Sequence, residues 1–319
     1  MSIATEISRL QSAKASIKTA IEGKGVTVPS ATLLDGYAAL ISSIPTGGGA
    51  PAWLKDGDTH LWLNIRNSFQ LDQQLRLRMI GTIDWGDGTT ESINVTSYTT
   101  KSHTYATTGK YRIDLHPTSG TFYLGGGNNT YNVMGKRSRR SQTIAALYQA
   151  EVGTGRIDTL SSYVFYYCYG LERVYVPKTI TTLNSYTFGY CYGLREVEFQ
   201  DSSTLTNTTL TDTFFACYVL PELTFVPGSV TTLSGVICYC ACLPEFTIPA
   251  TVTSLTSYAI ASAKGLKVLH CLPTTPPTIG TATAFEPPET CRIEVPNASL
   301  ATYKAANIWS TYASQMVGV

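Results

Sequence analysis

From about Leu147 to Cys271 the apolar positions recur every 23 residues or so, a period too long for one element and characteristic of a stacked structural repeat. Four stretches carry it: TLSSYVFYYCYGLERVYVP, TLNSYTFGYCYGLREVEFQ, TLTDTFFACYVLPELTFVP and TLSGVICYCACLPEFTIP. In each, a leucine precedes an aromatic or aliphatic residue, then a cysteine, then a second leucine that opens a short β-branched strand. The columns run Leu160, Leu183, Leu210, Leu233 and Leu255; Phe165, Phe188, Phe215, Cys238 and Ile260; Cys168, Cys191, Cys217, Cys240 and Ala263; and Leu171, Leu194, Leu220, Leu243 and Leu266. The spacing is regular except for a short insertion between the second and third copies. One such unit cannot bury its apolar face alone, so the copies are expected to stack into a solenoid with one continuous core.

The pattern aromatic–x–x–Cys–x–x–Leu–x–x–Val–x–Val–Pro resembles the BspA-type leucine-rich repeat, a family of bacterial surface and phage proteins. That resemblance implies adhesion rather than catalysis.

Before the repeats, Ile3, Ile7, Leu10, Ile17 and Ile21 fall at three- and four-residue spacing, interrupted by Lys14, and predict a helix over 3–22 with Ser2 as its cap and Gly23 as its stop. The seam they form suits either self-association, with a trimer favoured, or a helical hairpin with a second helix over 30–43. Pro45 ends that helix and Thr46-Gly47-Gly48-Gly49 follows as a linker. The run of isoleucines, IKTAIEGKGV and the closing SSIP resemble the short N-terminal module that opens tail-associated proteins of phages infecting gut bacteria.

From Ala52 to about Leu124 alternation of period two takes over, as in Leu61-Trp62-Leu63-Asn64-Ile65 and Leu75-Arg76-Leu77-Arg78-Met79. WGDGT at 85–89 and HTYATTGKYRI at 103–113 resemble the PKD-type immunoglobulin-like sandwich. In that family the motif shapes a turn, so Asp84 and Asp87 are read as structural. Gly125-Gly126-Gly127-Asn128-Asn129 then reads as a break, and Lys136, Arg137, Arg139 and Arg140 form a basic cluster that suits either an anionic polymer or a solvated linker. At the end of the chain, a strand over 292–295 and a helix over 299–316, with Leu300, Tyr303, Ile308, Trp309 and Tyr312, are expected to cover the open end of the stack. This ending resembles the C-terminal caps of BspA-type repeat proteins.

Composition narrows the function. The chain has 319 residues and a formal net charge of +1, which gives no electrostatic footprint for nucleic acid. Charged residues make up 14%, against about 25% in an ordinary globular protein, while Thr, Ser, Gly and Tyr abound. Contact through neutral hydroxyl and aromatic surface is the expectation. The eight cysteines fall mostly in or beside the repeat columns, where stacking makes them a buried ladder of free thiols rather than disulfides. The start, MSIATEISRLQSAK, has no apolar h-region, and no run reaches the roughly 18 apolar residues of a membrane span.

Four histidines, His60, His103, His116 and His270, are scattered, and no P-loop, HExxH or Gly-x-Ser-x-Gly pattern occurs. Glu196, Glu198, Glu222 and Glu245 fall on successive repeat strands as an acidic column; without a cleft they read as a solvated face rather than a glycosidase pair. The reading assigns no catalytic residue, no metal and no cofactor. Tyr169, Tyr192 and Tyr218 follow the cysteine in three repeats, and Tyr167, Tyr190 and Tyr239 precede it in three. Flanking an inward cysteine, they form either outward stripes suited to sugar faces and protein interfaces or rings packed on one another between coils.

The expected architecture is multidomain and mainly β: a helical anchor or oligomerisation segment at 1–45, a Gly-rich linker at 46–51, a PKD-like β-sandwich at 52–125, a basic linker at 126–142, a leucine-rich-repeat solenoid at 143–283 and a C-terminal helical cap at 284–319. Anchor, spacer and recognition surface in that order suggest a non-enzymatic virion part, a tail or head fibre. Residues 1–45 would dock it on other virion proteins, and its repeats would meet a host-surface glycan or protein. The alternative is a bacterial cell-surface adhesin of the BspA-type repeat family.

Overall fold

The structure, a computed structural model, describes residues 57–136, 146–223 and 227–319. The expected helices and oligomerisation seam within 1–45, the 46–51 linker, and Arg137, Arg139 and Arg140 lie outside the described residues. The protein is mainly β, in line with the alternating and β-branched patterning.

The first strands are β1 (Thr59–Ile65), β2 (Asp72–Asp84), β3 (Thr90–Asn94), β4 (Thr99–Thr104) and β5 (Gly109–Leu124). Strand β2 shows why a period of two makes a half-buried strand: Leu75, Leu77, Met79 and Ile83 are fully buried while their neighbours are half-exposed. It pairs antiparallel with β5, and along its other edge with β4 and then β3. The WGDGT turn is built by side-chain acceptors, as expected of a structural motif. Asp84 Oδ1 accepts the Gly86 amide at 2.8 Å, and Asp87 Oδ1 accepts the amide and hydroxyl of Thr89 at 3.1 and 2.6 Å. Gly86 is required there: at φ +78° its missing Cβ would lie 2.3 Å from the Arg112 carbonyl.

After β5 the short strands β6 (Tyr131–Asn132) and β7 (Gly135–Lys136) form a hairpin. The stretch expected as a linker from 126 is thus, as far as Lys136, a packed joint. Val133 and Met134 are buried, the Val133 amide donates to the Val164 carbonyl at 2.7 Å, and Asn132 Nδ2 donates to the Tyr166 carbonyl at 2.7 Å. Gly126 makes the approach possible, since a Cβ on it would lie 2.1 Å from the Ser162 carbonyl oxygen.

The repeats build two ladders of short parallel strands. One contains β8 (Leu147–Glu151), β10 (Arg173–Val176) and β12 (Glu196–Phe199), and later β15 (Glu245–Ile248), β18 (Val268–Cys271) and β21 (Arg292–Val295). The other contains β9 (Thr159–Leu160) with β11 (Thr182–Leu183), then β13 (Thr209–Thr211), β14 (Thr232–Ser234), β16 (Ser254–Thr256) and β19 (Thr278–Ile279). The leucine columns register as the spacing predicts: Leu160 pairs with Leu183, and Leu210 with Leu233 and then Leu255. Two-residue strands β17 (Ile260–Ala261) and β20 (Phe285–Glu286) pair near the C-terminal end. Strand β1 pairs antiparallel with β8, Leu61 opposite Ala150, so the first strands and the first repeats share one eight-stranded sheet.

The insertion between the second and third copies is absorbed in a 3-10 turn at Ser202–Thr204, capped by Asp201 Oδ1 accepting the Ser203 amide. The turn that follows is one residue shorter, with seven positions from Leu210 to Cys217 against eight from Leu183 to Cys191, so the aromatic falls one place nearer the leucine. Phe214, not Phe215, stacks on Phe188 in the core, and Ile237, not Cys238, follows at full burial.

At the C-terminus the expected continuous helix is replaced by a six-residue helix α1 (Leu300–Ala305), a left-handed Ile308 at φ 64°, a 3-10 turn at Trp309–Gln315 and a strand β22 (Met316–Gly318) paired parallel with β21. The break has a packing cause. Six residues apart on an α-helix, Tyr303 and Trp309 would point about 120° apart, yet both are buried in the end of the stack. Tyr303 O–H donates to Pro273 O and Trp309 Nε1 to Pro277 O, each at 2.8 Å, with ring centroids 4.9 Å apart.

Candidate recognition surface

Each repeat turns between its two ladders through a segment of the type SSYVFYYCYG. Two equivalent positions per turn are left-handed, with Ser257 an additional one in the fifth. They are Tyr163 and Tyr167 in the first copy, Tyr186 and Tyr190 in the second, Asp212 and Ala216 in the third, Gly235 and Tyr239 in the fourth, and Tyr258 and Ser262 in the fifth. A tyrosine in this conformation is strained by about 1–3 kcal/mol unless its surroundings hold it. The neighbouring repeat supplies that restraint. The amides of Tyr163, Phe165 and Tyr167 donate to the carbonyls of Ser185, Thr187 and Gly189, and those of Tyr186, Phe188 and Tyr190 to Thr211, Thr213 and Phe215.

Inward from this turn, Cys168, Cys191, Cys217 and Cys240 are buried and free, as the column predicts. They do more than fill space: Cys191, Cys217 and Cys240 donate their S–H to the carbonyls of Phe165, Phe188 and Phe214 at 3.0, 3.2 and 3.2 Å. Burial pushes the Cys240 thiol up to about 12 and raises the other three as well. In the CYCAC run, Cys238 is also buried and Cys242 is exposed.

Outward from the turn stand the tyrosines. Tyr169, Tyr192 and Tyr218 form one row, with successive ring centroids 4.9 and 4.8 Å apart and planes inclined by 30° and 20°. Tyr167 and Tyr190 form a second row, 4.4 Å apart at 19°. Tyr239 belongs to that column, but Ala216 intervenes; its ring instead meets Phe215 edge-on at 5.5 Å. The structure therefore combines both sequence expectations: the rings pack on one another and also face outward, from half-buried at Tyr169 to 39% exposed at Tyr218 and 45% at Tyr239. Burial, reinforced by the hydroxyls of Tyr169 and Tyr218, pushes Tyr192 up to about 12 and likewise raises Tyr190. At neutral pH these rows present flat uncharged rings with O–H groups at their rims.

The same turns carry a third row. Tyr163 and Tyr186 stack at 5.3 Å and 10°, and Tyr166 packs edge-on against both. The signal was there in the same 23-residue spacing, two positions before Phe165 and Phe188.

The acidic column does not gather into a paired carboxylate site. Glu196 is held by Arg173 at 2.5 Å, while His270 lies 3.8 Å from Glu245 and donates from Nδ1 to Glu294 Oε2 at 2.7 Å. Among the described residues no group of three or more His, Cys, Asp or Glu is placed to hold a metal ion, and no helix is long and apolar enough to cross a membrane.

Residues 156–286 match the family model for the BspA type leucine rich repeat region, in six copies. The repeats of this chain are thus BspA-type leucine-rich repeats. No curated protein matches the chain. Solved structures similar to it include a leucine rich cell surface protein from Faecalibacterium prausnitzii, with 22% identity over 47% of this chain and a TM-score of 0.36. The pneumococcal vaccine antigen PcpA shows 15% identity over 63% of this chain and a TM-score of 0.40. A leucine rich repeat protein from T. pallidum shows 20% identity over 39% of this chain, 78% of its own length and a TM-score of 0.29. The chain spans 37% and 45% of the length of the first two.

Proposed function

We propose that this protein is a non-enzymatic adhesion protein of a bacterial cell surface, with the tyrosine rows of its BspA-type repeats as the contact surface for a neutral glycan. The observation that carries this reading is the row Tyr169–Tyr192–Tyr218: rigid, uncharged, half-exposed rings at one spacing along the stack. Such rings lose little conformational entropy on binding and fit the apolar faces of sugars, where a chain with few charges has little else to offer. In this account the WGDGT strands serve as a spacer, in the manner of the PKD-type domains they resemble, and residues 1–45 attach or self-associate the chain. The BspA-type repeats, and the cell-surface description of the similar Faecalibacterium prausnitzii protein, support a cell-surface location.

A second reading, a tail or head fibre of a phage, is favoured by the N-terminal resemblance alone. Antibody labelling and protease shaving of intact bacteria, beside sedimentation of phage particles from the same culture, separate the two. Labelling on intact cells is the expected result. Recovery of the chain only in purified particles would overturn the cell-surface reading in favour of the fibre.

A further inference from the structure

The third tyrosine column is interrupted, and the interruption forms a pocket. Its left-handed positions run Tyr163, Tyr186, Asp212, Gly235 and Tyr258, so two consecutive repeats lack a ring between two that have one. A pocket of roughly 520 Å³ opens there, walled by Tyr186, Phe215, Tyr239 and Tyr258 with Asp212 among its lining residues. The walls stand at angles to one another. Tyr186 and Phe215 are 6.1 Å apart at 57°, and Phe215 and Tyr239 are 5.5 Å apart at 72°.

The carboxylate is placed by the missing side chain. A Cβ on Gly235 would lie 1.9 Å from Asp212 Oδ1, so the carboxylate occupies space that any other residue at 235 would fill. Asp212 accepts a hydrogen bond from Tyr186, and among the described residues no Lys, Arg or His forms an ion pair with it. Glu286 adds negative charge nearby, since the Cys238 thiol feels both carboxylates. Burial pushes the Asp212 carboxyl up, as expected of a charge with little compensation.

We propose that this pocket binds a methylated ammonium group, seated against the faces of Tyr186, Phe215, Tyr239 and Tyr258 with Asp212 as its counter-charge. A primary ammonium or a guanidinium brings three to five N–H donors that need acceptors, and the pocket sets four aromatic rings against one carboxylate and the Ser257 hydroxyl. A methylated ammonium has few or no N–H groups to satisfy, and it spreads its charge over methyl groups that contact π faces directly. A neutral sugar would satisfy the rings but leave the carboxylate uncompensated. The site uses residues other than the Tyr169–Tyr192–Tyr218 row and stands whether or not that row is adhesive.

The test is a ligand-observed NMR titration of the full chain with tetramethylammonium chloride. tert-Butanol serves as a neutral probe of similar shape, ethylammonium as a primary amine and methyl glucoside as a sugar. Saturable binding of tetramethylammonium, about tenfold or more tighter than any of the other three, is expected from the added charge and cation–π terms. Asp212→Asn and the half-exposed Tyr258→Ala should each weaken it by about threefold to tenfold, with circular dichroism unchanged. Absence of saturable binding, equal binding of tert-butanol, preference for methyl glucoside, or undiminished affinity in a folded Asp212→Asn chain would each overturn the proposal.

Discussion

The antiparallel strands β1–β5 and the stacked repeats reach full burial by different routes. In the first, long strands bury alternate residues against partners chosen one at a time, and the seam with the repeats is polar. His60 Nδ1 lies 2.6 Å from Asp114, which also holds Arg112, and Trp62 Nε1 donates to the buried Glu151 at 2.8 Å. In the second, strands of two to five residues contribute little alone, and burial comes from columns of like residues meeting across copies. A single residue in a column therefore supports two neighbours, while a single residue in the sheet supports its own site.

The largest effect is expected for Phe188→Ala. Its ring is fully buried between Phe165 at 5.7 Å and Phe214 at 5.2 Å, and truncation of such a ring costs about 3–5 kcal/mol. Chemical denaturation should show that loss, whereas Phe69→Ala, at a ring 75% exposed, should stay within about 0.5 kcal/mol of the parent.

Next is the joint. Gly126 and Gly88 both have left-handed φ, +66° and +91°, but only Gly126 faces a collision, with Ser162 O at 2.1 Å, while Gly88 opens to space. Gly88→Ala should cost about 1–2 kcal/mol from backbone strain, and Gly126→Ala clearly more. Equal losses would mean that the 126–136 segment is not held against the first repeat.

These two tests bear on what the sequence made legible. The period, the leucine and cysteine columns and the turn at Asp87-Gly88 were readable because each repeats a side-chain type at fixed spacing or satisfies a local hydrogen-bond rule. The aromatic column slips by one position at Phe214-Phe215 when counted from the leucine, because the stretch from Leu210 to Cys217 is one residue shorter than that from Leu183 to Cys191; counted back three from the cysteine, the aromatic is Phe214. The joint was missed because GGGNN has the composition of a linker; its order comes from close approach to Ser162, far away in sequence. The tyrosine surface was half legible. Rows beside the cysteine were found, but the pocket at Asp212 and Gly235 is a gap in a column, and a gap shows only after the column is aligned. The ladder in which Thr231, Thr253 and Thr278 donate to carbonyls of Thr208, Thr231 and Thr253 was visible only as a Thr-rich composition.

A smaller effect is expected from the polar seam as pH changes. Burial lowers the His60 pKa, but the hydrogen bond and charge of Asp114 outweigh it and leave it raised above 6.5. Burial likewise raises Asp114, and the bonds from His60 and Arg112 outweigh it and leave it below 3.8. A raised histidine contributes fully below its unfolded value and loses that contribution as pH rises through the folded one; a depressed carboxylate contributes above its unfolded value and loses it on acidification. The stability difference between the parent and His60→Gln should therefore be greatest between about pH 4 and 6.5 and shrink above that. A difference that grows with pH would refute the pairing.

The smallest energetic effect attaches to the thiols. Alkylation of the native protein should label Cys242 and spare the buried column, with Cys168, Cys191, Cys217 and Cys240 reacting only after unfolding. Native labelling of that column, read by mass spectrometry, would show that the repeats open in solution.

The central claim, that the outward tyrosine row is the adhesive surface, is tested most directly by binding to a panel of immobilised surface polysaccharides. Tyr218→Ala, at the exposed end of the row, should lower affinity for the captured glycan by several-fold while losing only the one stacked pair with Tyr192, about 0.5–1.5 kcal/mol. The triple substitution Tyr169→Ala, Tyr192→Ala and Tyr218→Ala should lower it at least tenfold, while losing about 1–3 kcal/mol of stability from two stacked pairs. Unchanged binding by the folded triple variant would contradict the account, because the row would then serve packing alone.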